Sequence, residues 1–324
     1  MKFVYFITSH KNPEQVQRLC AALRKGSPLS EIVVHHDPIA EPLDAEIISL
    51  LRIHLIPQPI SVRWGDFSLT EAILISMQWI EKNLEYDWLI YISGQDYPVR
   101  PLIRIEADLA ATEFDAFVYA FLYDDPAHWP SGEGFKRYYF QYFNLPRFPY
   151  YYRLPPSMKS AFEFFRQRLN ATSFLRLFPA YRNRPPKIGI RCWSVPFHED
   201  FPCWGGYNWM TLRRICVKHI IVTCQNNPRL LNHYRHTLVA EESIFQTILY
   251  NSKRFVIENN CRRYIYWDPK IEHAASPATI KINVIDRALS SRADFARKFD
   301  FDEDIDVFDR VDAFIDNCHE NVCE

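Results

Sequence analysis

The chain has 324 residues, 48% of them hydrophobic and 24% charged, with a net charge of −1. That is room for one large domain or two small ones with a sizeable core, and the near-neutral balance excludes a global field aimed at nucleic acid or an acidic membrane. Eight scattered cysteines, with no CxxC pair and no zinc-like Cys/His spacing, predict free thiols in a reducing cytosol.

The first residues run straight into an apolar, β-rich stretch and lack the shape of a signal peptide. No apolar run nears the ~20 residues that a membrane span needs. These features predict a cytoplasmic protein and leave peripheral membrane contact open.

Residues 2–8 read as the first strand. Asn12 and Pro13 then open a helix with Val16, Leu19 and Leu23 on one face, since Pro suits the first turn and Asn the N-cap. Gly26-Ser27-Pro28 breaks it. Residues 31–37 read as a second strand ending in Asp37, and a weaker strand or loop covers 60–63. Leu69, Ile73, Met77 and Ile80 predict a helix over 68–83. A strand over 88–93, a helix near 102–111 and a strand over 116–121 follow. This alternation predicts a mostly parallel, three-layer α/β/α sandwich.

Residues 124–186 break the rhythm. They are rich in Arg, Pro and aromatics, including 138–143 and Tyr150-Tyr151-Tyr152, with a helix predicted inside 157–177. The stretch is either an inserted subdomain that packs its rings, or an acceptor-facing or interfacial patch. Beyond it, regular α/β order resumes near 203–209, where residues 205–209 read as a small-residue turn leading to a helix over 211–219. Helices over 227–236 and 242–250, a strand over 263–267 and an acidic tail with a helix near 307–318 complete the chain. The chain divides on this reading into a nucleotide-binding half (1–123), an aromatic and basic insertion (124–190) and an acceptor and catalytic half (191–324).

Sites in α/β proteins collect at the carboxyl ends of strands. Asp37 there suits a ribose or uracil, or caps a turn. In Ser93-Gly94-Gln95-Asp96, the small residues keep the strand end open and Asp96 either supplies an acceptor or organises the turn before Pro98. Arg63-Trp64-Gly65 sets an indole beside a glycine that admits a ligand, or places a core Trp. Gly205-Gly206-Tyr207-Asn208-Trp209 admits close backbone approach, with N–H groups at a helix start suited to an anion. Glu241 and Glu242 lie at a helix start, where one caps and the other can face the site as a base. Arg297-Lys298, between Phe295 and Phe299, suits a diphosphate, or is a solvated pair. Asp124-Asp125 and the acidic tract 302–306 are candidate cation ligands, but no metal is assigned.

In this order the residues resemble the core-2/I-branching β-1,6-N-acetylglucosaminyltransferase and peptide O-xylosyltransferase family (glycosyltransferase family 14), from Phe3 to about Val311. The anchors are Phe6-Ile7-Thr8-Ser9-His10, Val34-His35-His36-Asp37, Val62-Arg63-Trp64-Gly65, Ser93-Gly94-Gln95-Asp96-Tyr97-Pro98, Gly206-Tyr207-Asn208-Trp209, Glu241-Glu242-Ser243, Ser276-Pro277 and Phe295-Ala296-Arg297-Lys298-Phe299. The resemblance implies a GT-A-type fold and inverting transfer from a UDP-sugar, N-acetylglucosamine first and xylose second. The acceptor is a hydroxyl of a glycan, glycolipid or peptide, and neither metal nor other cofactor is required. Carried over residue by residue, Glu242 is the base. Asp37, Val62, Arg63 and Trp64 lie on the nucleoside side, with Thr8 and Asp96 also in the donor site. Asn208 and Trp209 face sugar and acceptor. Ser276, Arg297 and Lys298 contact the diphosphate, the two cations standing in for a metal. Glu133, Lys136, Arg137 and Glu241 are counterparts of acceptor contacts. Ala240-Glu241-Glu242 departs from the usual Pro-Asp-Glu, and Asn208 stands where xylosyl relatives carry Asp. The animal relatives' anchor, stem and disulfides have no counterpart, which implies a bacterial-type enzyme. Two other classes stay open: a catalytically silent nucleotide-sugar or glycan-binding module on the same fold, and a nuclease or phosphotransferase using the acidic tracts.

Overall fold

The structure, a computed structural model, describes residues 1–146, 155–178, 185–269 and 276–320. Tyr150-Tyr151-Tyr152 and Cys323 lie outside the described residues. The strands in chain order are β1 (Phe3–Ser9), β2 (Glu31–His36), β3 (Ile53–Leu55), β4 (Trp88–Ser93), β5 (Asp96–Pro98), β6 (Ala116–Leu122), β7 (Phe140–Asn144), β8 (Leu175–Phe178), β9 (Lys187–Arg191), β10 (Trp204–Arg213), β11 (Ile257–Glu258), β12 (Arg263–Ile265) and β13 (Phe295–Arg297).

β1 and β4 are near-continuous apolar runs, the pattern of strands covered on both faces. They lie at the centre of a seven-stranded sheet of order β11-β6-β10-β4-β1-β2-β3. β3, β2, β1 and β4 pair in parallel, as do β6 and β11, while β10 runs antiparallel to both its neighbours. Successive side chains of a strand face opposite ways. Val4, Phe6, Leu89 and Tyr91 therefore pack into one core with residues of helices Ser68–Asn83, Arg214–Asn226 and Ile244–Ser252. Tyr5, Ile7, Trp88 and Ile90 pack into the other with helices Pro13–Gly26, Leu102–Ala111 and Asp306–Glu320. The mostly parallel three-layer sandwich is thus as predicted. Two small sheets flank it, β12-β13-β5 and, within the aromatic insertion, the antiparallel β7-β9-β8.

Several local readings need correction. Asn12 does precede the first helix, but it sits in the left-handed region without capping it, and its amide reaches Asp300 at 3.2 Å instead. The short helix Ala45–Leu50, capped by the Asp44 carboxylate, and β3 were not foreseen, while residues 60–63 take the loop of the two forms expected there. The largest change is at 205–209. The segment lies in the ten-residue β10, so the helix begins only at Arg214. Its glycines serve packing: a Cβ on Gly205 would run into the Trp129 ring, and one on Gly206 into the Tyr119 carbonyl. The seven described cysteines are free thiols, and burial pushes those of Cys20 and Cys203 up to about 12.

Candidate active site at the carboxyl edge of the sheet

The edge is built around an irregularity in β10. Its pairing with β6 shifts register between Gly206 and Met210, and its pairing with β4 covers only Thr211 to Arg213. Bulges of this kind re-aim side chains. Here the bulge leaves Asn208 beside Tyr91, with the amide donating to the phenol oxygen at 3.3 Å. Tyr91 also shares a 3.0 Å hydrogen bond with Thr8 at the end of β1. Burial, more than any other influence, holds the Tyr91 hydroxyl above its usual range; Thr8 and Asn208 oppose this, and Glu241 and Asp96 reinforce it. Asn208 is itself buried, and its Oδ1 has no hydrogen-bond partner among the described residues. The backbone carbonyl of Tyr91 is met by the buried guanidinium of Arg263 at 3.0 Å.

Next to this, Arg297 of β13 stacks 3.8 Å over the Trp209 ring and donates to Asp96 at 2.7 Å and to Ser93 Oγ at 3.2 Å. Asp96 is buried and also accepts the Ser93 N–H at 2.5 Å. Its carboxylate thus organises the turn and holds Arg297, the structural alternative of its two readings. Arg297 Nε has no hydrogen-bond partner among the described residues. Gly94 packs tightly on Val16 and Ser9, so its small size serves helix packing.

Lys298 follows, half-buried and without a salt bridge among the described residues. Burial first, then neighbouring Lys11, lowers its pKa against the pull of Asp300 and Glu303. His10 stands between this cation and Asp37. Desolvation, Lys11 and Lys298 lower its pKa while Asp37 raises it, although the residue retains solvent contact. Asp37 is buried, and each carboxylate oxygen accepts a backbone N–H, from Ile39 at 3.0 Å and from Val62 at 2.8 Å. It therefore pins the loop carrying Val62, Arg63 and Trp64, of which Arg63 and Trp64 are exposed.

That loop meets the glutamates: the Val239 N–H donates to the Gly65 carbonyl at 3.2 Å. Ala240–Glu242 is a 3₁₀ turn ahead of the helix Ile244–Ser252, and neither glutamate side chain caps the turn or the helix. Glu241 is buried, with its charge felt at Tyr91 and Tyr138. Glu242 is half-exposed and accepts from Arg137 at 2.6 Å. Arg137 lies on the helix Glu133–Tyr138, pairs with Glu133 as well, and sits 5.0 Å from the Trp129 ring centroid. Burial alone would lower the Arg137 pKa, but Glu242, Tyr138 and Glu133 outweigh it and hold the pKa above its usual value. The charge of Glu242 also helps raise the pKa of Tyr207, after burial and Tyr119.

One continuous edge therefore collects Thr8, Asp37, Asp96, Asn208, Trp209, Arg297, Lys298, Glu241 and Glu242, with Glu133 and Arg137 at its rim. Lys136 makes no ion pair among the described residues. Ser276 is exposed, two residues before Ala278, whose carbonyl accepts the Lys298 N–H at 3.5 Å. In the acidic tracts, Asp125 accepts from Ala127 N–H and pairs with His128, and Asp304 accepts backbone N–H groups of Ile282 and Val307. Tyr91 and Arg263 went unnoticed in the sequence; an apolar strand gives no sign of a tyrosine whose hydroxyl reaches the site. Three surface hollows, near Arg214, Arg262 and Arg229, contain none of the predicted site residues.

The fold and edge define an α/β domain whose ligand-facing groups converge where parallel strands end. Comparison with known proteins narrows that class. The Core-2/I-branching enzyme family profile matches residues 163–292. The beta-glucuronosyltransferase GlcAT14B of Arabidopsis thaliana is 33% identical over 117 residues, 35% of this chain and 26% of that protein. Xylosyltransferase sqv-6 of Caenorhabditis elegans is 22% identical over 283 residues, 81% of this chain and 30% of that protein. Xylosyltransferase oxt of Drosophila melanogaster is 25% identical over 256 residues, 76% and 24% respectively. Over residues 163–292 the chain is thus similar to the Core-2/I-branching enzyme family, and its relatives by sequence are glycosyltransferases. It spans 24% to 30% of the length of these relatives.

Proposed function

We propose that this chain is an inverting, metal-independent glycosyltransferase that moves a sugar from a UDP-sugar to a hydroxyl of a glycan, glycolipid or peptide. N-acetylglucosamine is the first choice of sugar and xylose the second; the name of the Arabidopsis relative adds glucuronic acid to the panel to be tried. The reading is carried by two buried polar atoms on the same edge that have no partner among the described residues, Asn208 Oδ1 and Arg297 Nε. A buried polar atom left unpaired costs stability, so both atoms favour a polar ligand. Lys298 adds a partly desolvated cation beside another cation, a setting that favours an anion such as a diphosphate.

The chemistry then follows. Glu242 takes the proton of an acceptor hydroxyl, and that oxygen forms its bond to the anomeric carbon. The bond from that carbon to the diphosphate oxygen breaks on the opposite face, and its electron pair leaves with UDP. Arg297 and Lys298 meet the charge that develops there. A donor of α configuration gives a β-linkage. Arg137 holds the Glu242 carboxylate in one orientation; a base must lie within hydrogen-bond reach of the proton it abstracts.

The test is UDP release from UDP-N-acetylglucosamine, UDP-xylose and UDP-glucuronic acid, each with and without a chelator. Glu242→Gln is expected to lower turnover by about a hundredfold or more while UDP still raises the melting temperature. Unchanged turnover in the variant removes Glu242 from the role, and loss of wild-type activity on chelation removes metal independence.

A further inference from the structure

We propose that the aromatic insertion is a docking surface for an anionic lipid bilayer. The charge of the chain is strongly divided. From Leu145 to Trp193 the sequence carries ten Lys or Arg and one acid, Glu163, a net of +9. With −1 for the whole chain, the remainder carries −10. Four of those cations, Arg147, Arg153, Arg182 and Arg184, lie outside the described residues, and the surface is argued from the others.

The helix Pro156–Ala171 buries none of its residues. Met158, Phe164, Phe165 and Phe174 are each more than half exposed, and Trp193 is 94% exposed. Scattered exposed apolar residues are ordinary, but a cluster of this size on one small unit marks an interaction surface. Cations are interleaved with the rings: the Arg168 guanidinium lies 5.1 Å from the centroid of Phe164 and that of Arg191 lies 6.0 Å from Phe174, whose ring is 6.5 Å from that of Trp193.

This mixture selects among occupants. Phenylalanine and methionine offer no hydrogen bonds, so an apolar phase is what they gain from. Tryptophan favours the boundary between that phase and the headgroups, and arginine can bury its stem while its charge stays among lipid phosphates. A second copy of the chain in a two-fold contact would press these cations against their own equivalents. A soluble polyanion would answer the charge and leave the rings in water.

The surface is also fixed relative to the site. β7 starts one residue after the helix that bears Arg137, its Tyr142 N–H donates to the His236 carbonyl at 2.7 Å, and Lys187 of β9 is ion-paired with Asp66. A bilayer held by the insertion thus adjoins the side from which Arg137 reaches Glu242.

Cosedimentation of the full chain with vesicles tests this without any turnover, so its outcome is separate from that of the transfer assays. Vesicles of phosphatidylcholine alone should leave the protein in solution, and phosphatidylcholine mixed with phosphatidylglycerol should bring it down, less so at high salt. Phe164→Ser with Phe165→Ser, and separately Arg168→Glu with Arg191→Glu, should each weaken binding about tenfold or more. Trp193→Ser, at an almost fully exposed position, repeats the apolar test should the phenylalanine pair disturb folding. Wild-type protein that ignores the anionic vesicles overturns the proposal. So does binding that survives loss of the aromatic residues, which would mark a polyanion site, or a dimer that the phenylalanine substitutions dissolve in protein that binds no vesicle.

Discussion

The floor and the rim of the site each hold an arginine–carboxylate pair, in opposite surroundings. On the floor, Arg297 and Asp96 are 10% and 0% exposed and lie 2.7 Å apart under Trp209. At the rim, Arg137 and Glu242 are 19% and 33% exposed at 2.6 Å. A buried pair is held because neither charge can be left alone, whereas a pair in contact with water can open at little cost. The floor pair therefore shapes the site, and the rim pair orients its carboxylate while contributing little to folding stability. Composition alone would treat the two arginines as equivalent; desolvation separates them.

The sharpest way to break this contrast is to remove one member of the floor pair. Arg297→Met leaves Asp96 buried without a counter-charge, and the expected loss is about 3–5 kcal/mol of folding stability, read by urea unfolding. Arg297→Met with Asp96→Asn should recover much of it, because the coupled charges go together. A single variant as stable as the parent would mean that water already reaches Asp96.

The rim pair should respond differently. Arg137→Met leaves both Glu242 and Glu133 in contact with solvent, so stability should change little. If Glu242 is the base proposed above, it then loses its orienting partner, and kcat should fall about tenfold to a hundredfold with the KM for the UDP-sugar unchanged. Arg137→Lys, which keeps the charge but not the forked geometry, should restore part of the rate and shift the pH profile less than Met does. Equal losses in kcat and in melting temperature would make Arg137 a structural residue like Arg297.

Much of the scaffold under both pairs is legible in the sequence, because β1, β2 and β4 are apolar runs that end in polar turns and the helix Ser68–Asn83 keeps its apolar spacing. What escapes is set by distant neighbours. Gly205 and Gly206 look like a turn, yet they are strand residues kept small by Trp129 and by the Tyr119 carbonyl. The bulge that turns Asn208 toward Tyr91 depends on two different partner strands. The pairing of Arg137 with Glu242 spans 105 positions, and no local pattern predicts which of Glu241 and Glu242 faces outward. Asp37 and Asp96 each had two open roles, and only the structure supplies the hydrogen bonds to Val62, Ile39 and Arg297 by which both carboxylates organise the chain around the edge. The near-zero net charge concealed the basic insertion because averaging over 324 residues cancels it against an acidic remainder.

The smallest effect on folding, and the finest test of the contrast, comes from Lys298, a cation with no ion pair among the described residues. Lys298 is a lysine whose charged form is disfavoured by its surroundings, chiefly by burial and then by Lys11. In the ligand-free protein that charge is a cost, so Lys298→Met should change stability by less than about 0.5 kcal/mol or raise it slightly. Binding a diphosphate reverses the sign, since the anion supplies what Asp96 supplies to Arg297. The rise in melting temperature produced by UDP should therefore shrink in Lys298→Met, while that produced by uridine, which lacks the diphosphate, should not. If both ligands lose their effect equally, Lys298 holds the loop and not the phosphates. If neither loses it, the diphosphate lies elsewhere, and the floor pair alone would have to meet the leaving charge.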